Sequence, residues 1–222
     1  MTRIYLPSSG PDEWQRFLAQ PELHWRTGYS ARTLAHSWEA AANLPPEIER
    51  LLEPHVGKVR LLFAFPEHKT AVPGGRRDSQ SDVFALMRHD HGLLACTVEG
   101  KLDEPFGETL ETWCAQMTSG KQERLDYLLG RLGLASCPRD IHYQLLHRTA
   151  AALIEADRFH TETAAMIVHS FSSDRRWLDA FERFTALFGL GLGTDQSGSV
   201  GLPDGRKLVL GWACGDLAFL KR

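Results

Sequence analysis

Asp82, Glu99 and Lys101 are the residues of this 222-residue chain whose types and spacing could do chemistry. They bracket the stretch SDVFALMRHDHGLLACTVEGK, in which a short polar turn joins two apolar runs. Such a pattern predicts a β-hairpin. If the loop is the two residues 90–91, Asp82 falls opposite Glu99. Lys101 shares a face with Glu99 because side chains alternate along a strand.

Two carboxylates and a lysine on one face suit the metal-dependent cleavage of a phosphodiester. This reaction needs a nucleophilic water, neutralisation of charge on the phosphate and help for the leaving oxygen, most of which Mg²⁺ supplies. Because Mg²⁺ prefers oxygen ligands and keeps several waters, the carboxylates of Asp82 and Glu99 plus the Gly100 carbonyl would suffice. Lys101 would position the attacking water and stabilise developing negative charge.

Further helices and strands are predicted around this hairpin. Apolar residues at helical spacing indicate helices, and short apolar runs bounded by Gly or Pro indicate strands. The predicted helices are 31–42, 46–52, 107–118, 121–133, 141–157 and 177–187, and the predicted strands are 58–65, 82–88, 93–101, 164–171, 199–202 and 207–213. The stretch 66–81, rich in Gly, Pro and charge, is predicted to be a polar loop.

This element order predicts an α/β or α+β fold, in which helices flank a sheet. The apolar content of 43% supports one well-buried core, so we expect a single domain over 1–222. Its core covers about 31–171, and 172–222 forms a C-terminal elaboration that includes a β extension.

An Asp on one strand, followed by Glu-x-Lys near the end of the next, resembles the PD-(D/E)XK nuclease superfamily. In this chain the motif comprises Ser81-Asp82 and Val98–Lys101. The family core is helix, three strands, helix, strand, and the segments between 31 and 171 are similar in order, with extra helices at 107–133. The resemblance implies a restriction-endonuclease-like core: a central mixed β-sheet flanked by helices.

The resemblance also implies roles for two helical residues. Some members place a Glu of the first helix at the metal site, and some carry a Gln on the helix after the Lys. In the exonuclease-like branch a Tyr follows that Gln by four residues, where this chain has Arg148, and Ser81 replaces the Pro before the Asp. The implied catalytic residues are Asp82, Glu99, Lys101 and Gln144, and the implied ligands of Mg²⁺ or Mn²⁺ are Asp82, Glu99, Gly100 and Glu39.

Plainer interpretations compete with these roles. Asp82 would also serve as the start of a strand, and Glu99 with Lys101 would also serve as a solvent-facing pair at a strand end. Against this, Glu99 directly follows an apolar run, so it is expected to be partly buried. Buried carboxylates are rare without a partner or a metal. A second Glu-x-Lys, Glu67-His68-Lys69, falls in the predicted loop without an Asp-bearing strand before it, so we rank it below Glu99 and Lys101.

The helical candidates have alternatives too. Glu39 would equally form a surface salt bridge, and Gln144 would equally belong to a polar helix face. Arg148 would either contact a phosphate or pair with Glu155 seven residues along the helix. Arg76-Arg77 in the loop, together with 175–176, would form a basic rim for DNA or simply be solvated.

Composition excludes several classes. The net charge of −3 counts mildly against a nucleic-acid binder, although an enzyme needs only a local basic groove. The four cysteines lack CxxC spacing, which disfavours zinc. The glycines of 189–193 lack the setting of a dinucleotide fingerprint, so no cofactor other than the metal is expected. The N-terminus lacks a signal-peptide core and no apolar stretch reaches membrane-spanning length, so we expect a cytoplasmic protein without a membrane partner.

Two functions follow from these residues. The first is a Mg²⁺-dependent nuclease that hydrolyses phosphodiester bonds, with DNA as the expected partner. The second is a non-catalytic nuclease-like module for binding or assembly in a bacterial defence or regulatory system. The choice between DNA and RNA, and between duplex and single strand, stays open. Trp and Phe residues exposed on the C-terminal helix would suit a homodimer surface.

Overall fold

The protein, described by a computed structural model over residues 9–222, is built on one mixed sheet of six strands. The first eight residues, where we predicted no signal peptide, lie outside the described part. The strands are β1 (Arg60–Thr70), β2 (Ser79–His89), β3 (Gly92–Lys101), β4 (Thr163–Ser170), β5 (Gln196–Gly201) and β6 (Lys207–Cys214). The helices are α1 (Pro21–His24), α2 (Ser30–Ala40), α3 (Pro46–Val56), α4 (Leu110–Trp113), α5 (Ser119–Leu132), α6 (Tyr143–Arg158) and α7 (Leu178–Ala186), with 3₁₀ turns at Pro11–Phe17 and Leu217–Lys221.

The sheet has the strand order β1-β2-β3-β4-β6-β5. β1, β2 and β3 form an antiparallel meander, β3, β4 and β6 run parallel, and β5 pairs antiparallel with β6. The parallel step from β3 to β4 is crossed by α5 and α6, as a parallel connection requires. The predicted α+β class, with helices flanking a mixed sheet and a C-terminal β extension, is confirmed.

The register of the central hairpin is also confirmed. His89 pairs with Gly92 and Val83 with Val98, so the loop is the two residues 90–91. The register follows from the alternation of buried side chains, because a one-residue slip would turn each apolar set to the wrong face.

Helices cover both faces of the sheet, and each face has its own core. Phe84 and Ala95 join the core beneath α5, α6 and α7. Val83, Ala85 and Val98, one position along, join the core beneath α2 and α3. Alternate residues of the hairpin therefore pack into the cores on opposite faces, which is the pattern of a sheet buried on both sides.

The bounds predicted for the polar loop 66–81 are wrong at both ends. β1 continues through Pro66 to Thr70, and β2 begins at Ser79, which leaves a connection of eight residues. The predicted strand 58–65 ends before Pro66, where its apolar run stops. β1 is an edge strand, however, and an edge position tolerates proline.

Two helical predictions need correction. The helix predicted over 107–118 is reduced to the single turn of α4. The Phe residues expected to be exposed on the C-terminal helix are buried, since Phe181 and Phe184 have no exposed surface, and Trp177 is half-buried. Their burial removes the reason for expecting a homodimer, which stays an untested prediction. Within residues 9–222, no helix is both long enough and apolar enough to cross a membrane.

Candidate functional site

Asp82 and Glu99 lie side by side where β2 and β3 begin to separate. Val83 and Val98 are the last paired residues of the hairpin. Asp82 directly precedes Val83, and Glu99 directly follows Val98. One oxygen of Asp82, Oδ2, accepts a hydrogen bond of 2.7 Å from the backbone N–H of Gly100. Within the described residues, the other oxygen of Asp82 has no hydrogen-bond donor. The carboxylate is therefore anchored at one atom and open at the other.

Glu99 is only 3% exposed and has three cationic or polar neighbours. Its Oε2 accepts from Arg148 Nε at 2.6 Å, and its Oε1 accepts from Gln144 Nε2 at 2.8 Å. Lys101 Nζ lies 3.1 Å from the same Oε1. The interpretation of Glu99 and Lys101 as a solvent-facing pair is therefore wrong, since both are buried.

Lys101 is held from several directions. Besides Glu99, its Nζ donates to Gln144 Oε1 at 3.1 Å and to the carbonyl of Pro105 at 3.3 Å. It also lies 4.9 Å from the centre of the Phe106 ring. An ammonium group fixed this tightly keeps one orientation toward the carboxylates. Gln144 is brought to the site as predicted, and it orients Lys101 and Glu99 together.

Glu67 is the residue that the sequence interpretation misplaced. It lies in β1, between the pairs Pro66–Val83 and His68–Ser81, and therefore faces Asp82 across the strand boundary. Gln80 donates to its Oε2 at 2.7 Å. Glu67 falls in the predicted loop 66–81, which is why Glu67-His68-Lys69 ranks below Glu99 and Lys101 in the sequence. Glu67, Asp82 and Glu99 together form what we call the carboxylate cluster.

The electrostatics of the carboxylate cluster are those of crowded acids in a poorly hydrated place. Burial and the neighbouring charge of Glu99 raise the pKa of Glu67 to about 7, against an opposing hydrogen bond from Gln80. Burial and the charges of Glu99 and Glu67 raise the pKa of Asp82 well above its usual range. Strongly perturbed acids in one place are typical of functional sites, although structural networks also produce them.

The pKa values of Glu99 and Arg148, in contrast, shift in the directions that favour their charged forms. Burial opposes the ionisation of Glu99, but the charges of Arg148 and Lys101 outweigh it and hold its pKa below the usual value. Burial likewise opposes the charge on Arg148, yet Glu99 and Asp82 raise its pKa. Glu99 therefore stays ionised as one half of a buried ion pair.

One of the two interpretations of Arg148 is wrong. Arg148 pairs with Glu99, not with Glu155. Glu155 instead accepts from the hydroxyl of Thr70 at 2.8 Å and lies 3.0 Å from Nε2 of His68. The polar face of α6 therefore faces the sheet. The i, i+4 spacing of Gln144 and Arg148 was the available signal, because such residues lie on one helix face.

Glu39 is placed differently from the other predicted ligands. It stands on α2, whose buried side chains pack against the sheet face opposite α6. Its Oε1 accepts a hydrogen bond of 2.8 Å from the indole nitrogen of Trp14. None of its described hydrogen bonds joins it to the carboxylate cluster.

The donor chemistry of the carboxylate cluster suits a hard divalent cation, since carboxylate oxygens are what Mg²⁺ and Mn²⁺ prefer. Within residues 9–222, however, no three His, Cys, Asp or Glu side chains stand ready to enclose a metal ion. Gly100 directs its N–H toward Asp82, while the next carbonyl, of Lys101, accepts from Phe171 on the other side of the strand. The predicted metal site thus has suitable donors without a closed coordination shell.

Comparison with known proteins gives a family and no activity. No curated protein matches the chain, and no solved structure matches it either. Residues 7–217 match the family described as "Domain of unknown function (DUF6946)". The match covers the whole sheet, the carboxylate cluster and the helices around them. The chain therefore belongs to the DUF6946 family.

Proposed function

We propose that the protein is a nuclease of the PD-(D/E)XK type, which hydrolyses phosphodiester bonds of DNA with the help of Mg²⁺ or Mn²⁺. The observation that carries the proposal is the carboxylate cluster beside a fixed lysine: Lys101 Nζ lies 3.1 Å from Glu99, next to Asp82. The order of α2, β1, β2, β3, α6 and β4 supports it, being similar to the core order of that superfamily.

The local charge balance supports cation binding. Three acids, Glu67, Asp82 and Glu99, are balanced by two cations, Lys101 and Arg148, so the fully ionised site carries one excess negative charge. Burial first, and then the charges of the neighbouring acids, raise the pKa of Glu67 and of Asp82. A divalent cation would relieve the excess negative charge, because an adjacent positive charge favours the ionised form of an acid.

Asp82, Glu67 and the Gly100 carbonyl would hold the cation, with Glu99 as a further donor. The bound ion would supply the charge neutralisation and the activated water that phosphodiester hydrolysis requires. Lys101 would bind a phosphate oxygen or the attacking water, since its ammonium group is pinned toward the acids by Gln144 and Pro105.

The second candidate function is a non-catalytic binding module on the same fold. The observation in its favour is the guanidinium of Arg148, whose Nε lies 2.6 Å from Glu99 Oε2. A permanent cation at this carboxylate supplies positive charge that a metal would otherwise provide. In that case the network is a structural one that joins α6 to β3.

Cleavage of supercoiled plasmid DNA in Mg²⁺ or Mn²⁺ separates the two functions. A nuclease requires that Lys101→Met lowers the cleavage rate by at least about a hundredfold, as expected for loss of an electrostatic stabiliser. Lys58→Met, an exposed lysine shortly before β1, serves as the matched control and should keep wild-type activity. Wild-type protein that leaves the plasmid intact in both metals would favour the binding module.

A further inference from the structure

A cavity of about 500 Å³ lies beside the carboxylate cluster. Its walls come from residues 72–79, from α4 and from the starts of α5 and α6. Ser79, in its lining, accepts from Arg148 Nη1 at 3.2 Å and lies 2.8 Å from Nδ1 of His147. Ser79 therefore connects the cavity lining to the guanidinium that contacts Glu99.

The cavity is lined by more positive than negative charge. Arg76, Arg77, Lys121 and Arg124 line it, against Asp78 and Glu108. Arg76 and Arg77 are exposed and form no ion pair with any residue of 9–222. In a chain with a net charge of −3, this local excess is where an anion would be attracted.

Arg124 adds an independent reason to expect an anion. It is 8% exposed, and its guanidinium donates to the main-chain carbonyls of Val72 at 2.6 Å, Arg77 at 2.8 Å and Pro73 at 3.0 Å and to the hydroxyl of Tyr143 at 3.5 Å. No carboxylate among the described residues pairs with it. Buried charges are normally paired, so this uncompensated charge favours a negative ligand in the adjoining space.

An aromatic wall closes one side of the cavity. The rings of Trp113 and Tyr143 stack with centres 4.3 Å apart and planes at 12°. Lys121 Nζ lies 5.1 Å from the centre of the Trp113 ring and donates to the Trp113 carbonyl at 2.6 Å. Apolar ring edges next to cations suit a ligand that is anionic at one end and flat at the other.

We infer that this cavity binds one nucleotide unit of a single-stranded nucleic acid, next to the bond to be cleaved. Arg76, Arg77 and Lys121 contact its phosphates, and the edge of the Trp113–Tyr143 stack contacts its sugar and base. The cavity volume is in the range that accommodates one small ligand. A paired base would have to leave its stack to enter, so an unpaired strand is favoured. The inference rests on the proposed function, of which it specifies the substrate.

Fluorescence anisotropy with a labelled thymidine 12-mer tests the inference in EDTA, where cleavage cannot occur. The double variant Arg76→Ala/Arg77→Ala should weaken binding at least tenfold and reduce the slope of log K against log salt by about 1.4. Lys58→Ala/Arg60→Ala removes the same charge at the other end of β1 and should bind within twofold of wild type. All four side chains project from surface positions, and circular dichroism checks that both variants stay folded.

Two competitors test the ligand class on the wild-type protein. Thymidine monophosphate should displace the 12-mer at a lower concentration than inorganic phosphate, and duplex DNA of equal length should bind more weakly than the single strand. Equal losses in the two double variants, no binding by wild type, equal displacement by phosphate, or tighter binding of the duplex would each overturn the inference. Strand binding that depends on Arg76 and Arg77, without plasmid cleavage in either Mg²⁺ or Mn²⁺, would refute the nuclease alone.

Discussion

Glu67 lies directly across from Asp82 on the neighbouring antiparallel strand, between the pairs Pro66–Val83 and His68–Ser81. Like charges directly opposite each other destabilise a sheet, so such a pair needs a proton, a cation or another compensating group. Gln80 and the Gly100 N–H compensate in part, with bonds of 2.7 Å each. This relationship makes Glu67 and Asp82 the most informative targets in the protein.

Glu67 should make folding stability depend on pH. Its folded-state pKa of about 7 lies above the usual 4.5, so the folded state binds the proton more tightly than the unfolded state does. The stabilisation is complete below about pH 4.5 and is lost as pH rises through about 7, an amount of about 3 kcal/mol. Urea denaturation of wild type and Glu67→Gln at several pH values measures the difference.

Wild type should therefore lose stability relative to Glu67→Gln as the pH increases from 4.5 to 7. A constant difference over this range would mean that Glu67 titrates normally. Repeating the series in Mg²⁺ adds a second test, because a cation bound at Glu67 and Asp82 would abolish the pH dependence.

The buried ion pair of Arg148 and Glu99 should be strongly coupled. Arg148→Met leaves Glu99 buried without its nearest cation, and breaking such a pair costs about 3–5 kcal/mol. The double variant Arg148→Met/Glu99→Gln should be less destabilised than the sum of the two single variants. Chemical denaturation of all four proteins gives the coupling, and additive effects would show that the pair is energetically unimportant.

Gly74 should be irreplaceable in the loop that lines the basic cavity. It has φ +78°, and a Cβ there would overlap the backbone N of Arg124 and lie 2.5 Å from the Gly120 carbonyl. We expect Gly74→Ala to lose about 3 kcal/mol, since the positive φ alone costs about 1–2 kcal/mol. Gly28→Ala is the matched control: its φ is +81° with open space around it, so it should lose only the conformational part. Equal losses in thermal denaturation would show that the overlap is relieved freely.

The hairpin and its register could be predicted from the sequence because both signals are local. Alternating burial fixes which residues share a face, and the two-residue loop at 90–91 fixes the pairing. The juxtaposition of Asp82 with Glu99 follows from those two facts alone. The order of strands and helices was likewise readable from the apolar periodicity.

Glu67 and Arg148 could not be placed from the sequence because their positions depend on tertiary structure. Pro66 normally ends a strand, and only its location on an edge strand allows β1 to continue to Glu67. Arg148 had two plausible acids, and the choice of Glu99 over Glu155 depends on how α6 lies across β3. The charge of the basic cavity likewise arises from segments more than forty residues apart.

Calorimetric titration with Mn²⁺ at pH 7.5 is the most direct test of a metal site in the carboxylate cluster. Wild type should bind the ion, and Asp82→Asn should weaken binding at least tenfold because it removes the carboxylate with an open oxygen. Glu39→Gln, on the opposite face of the sheet, should bind as wild type does. Equal binding by wild type and Asp82→Asn, or no binding by wild type, would contradict the metal-dependent site.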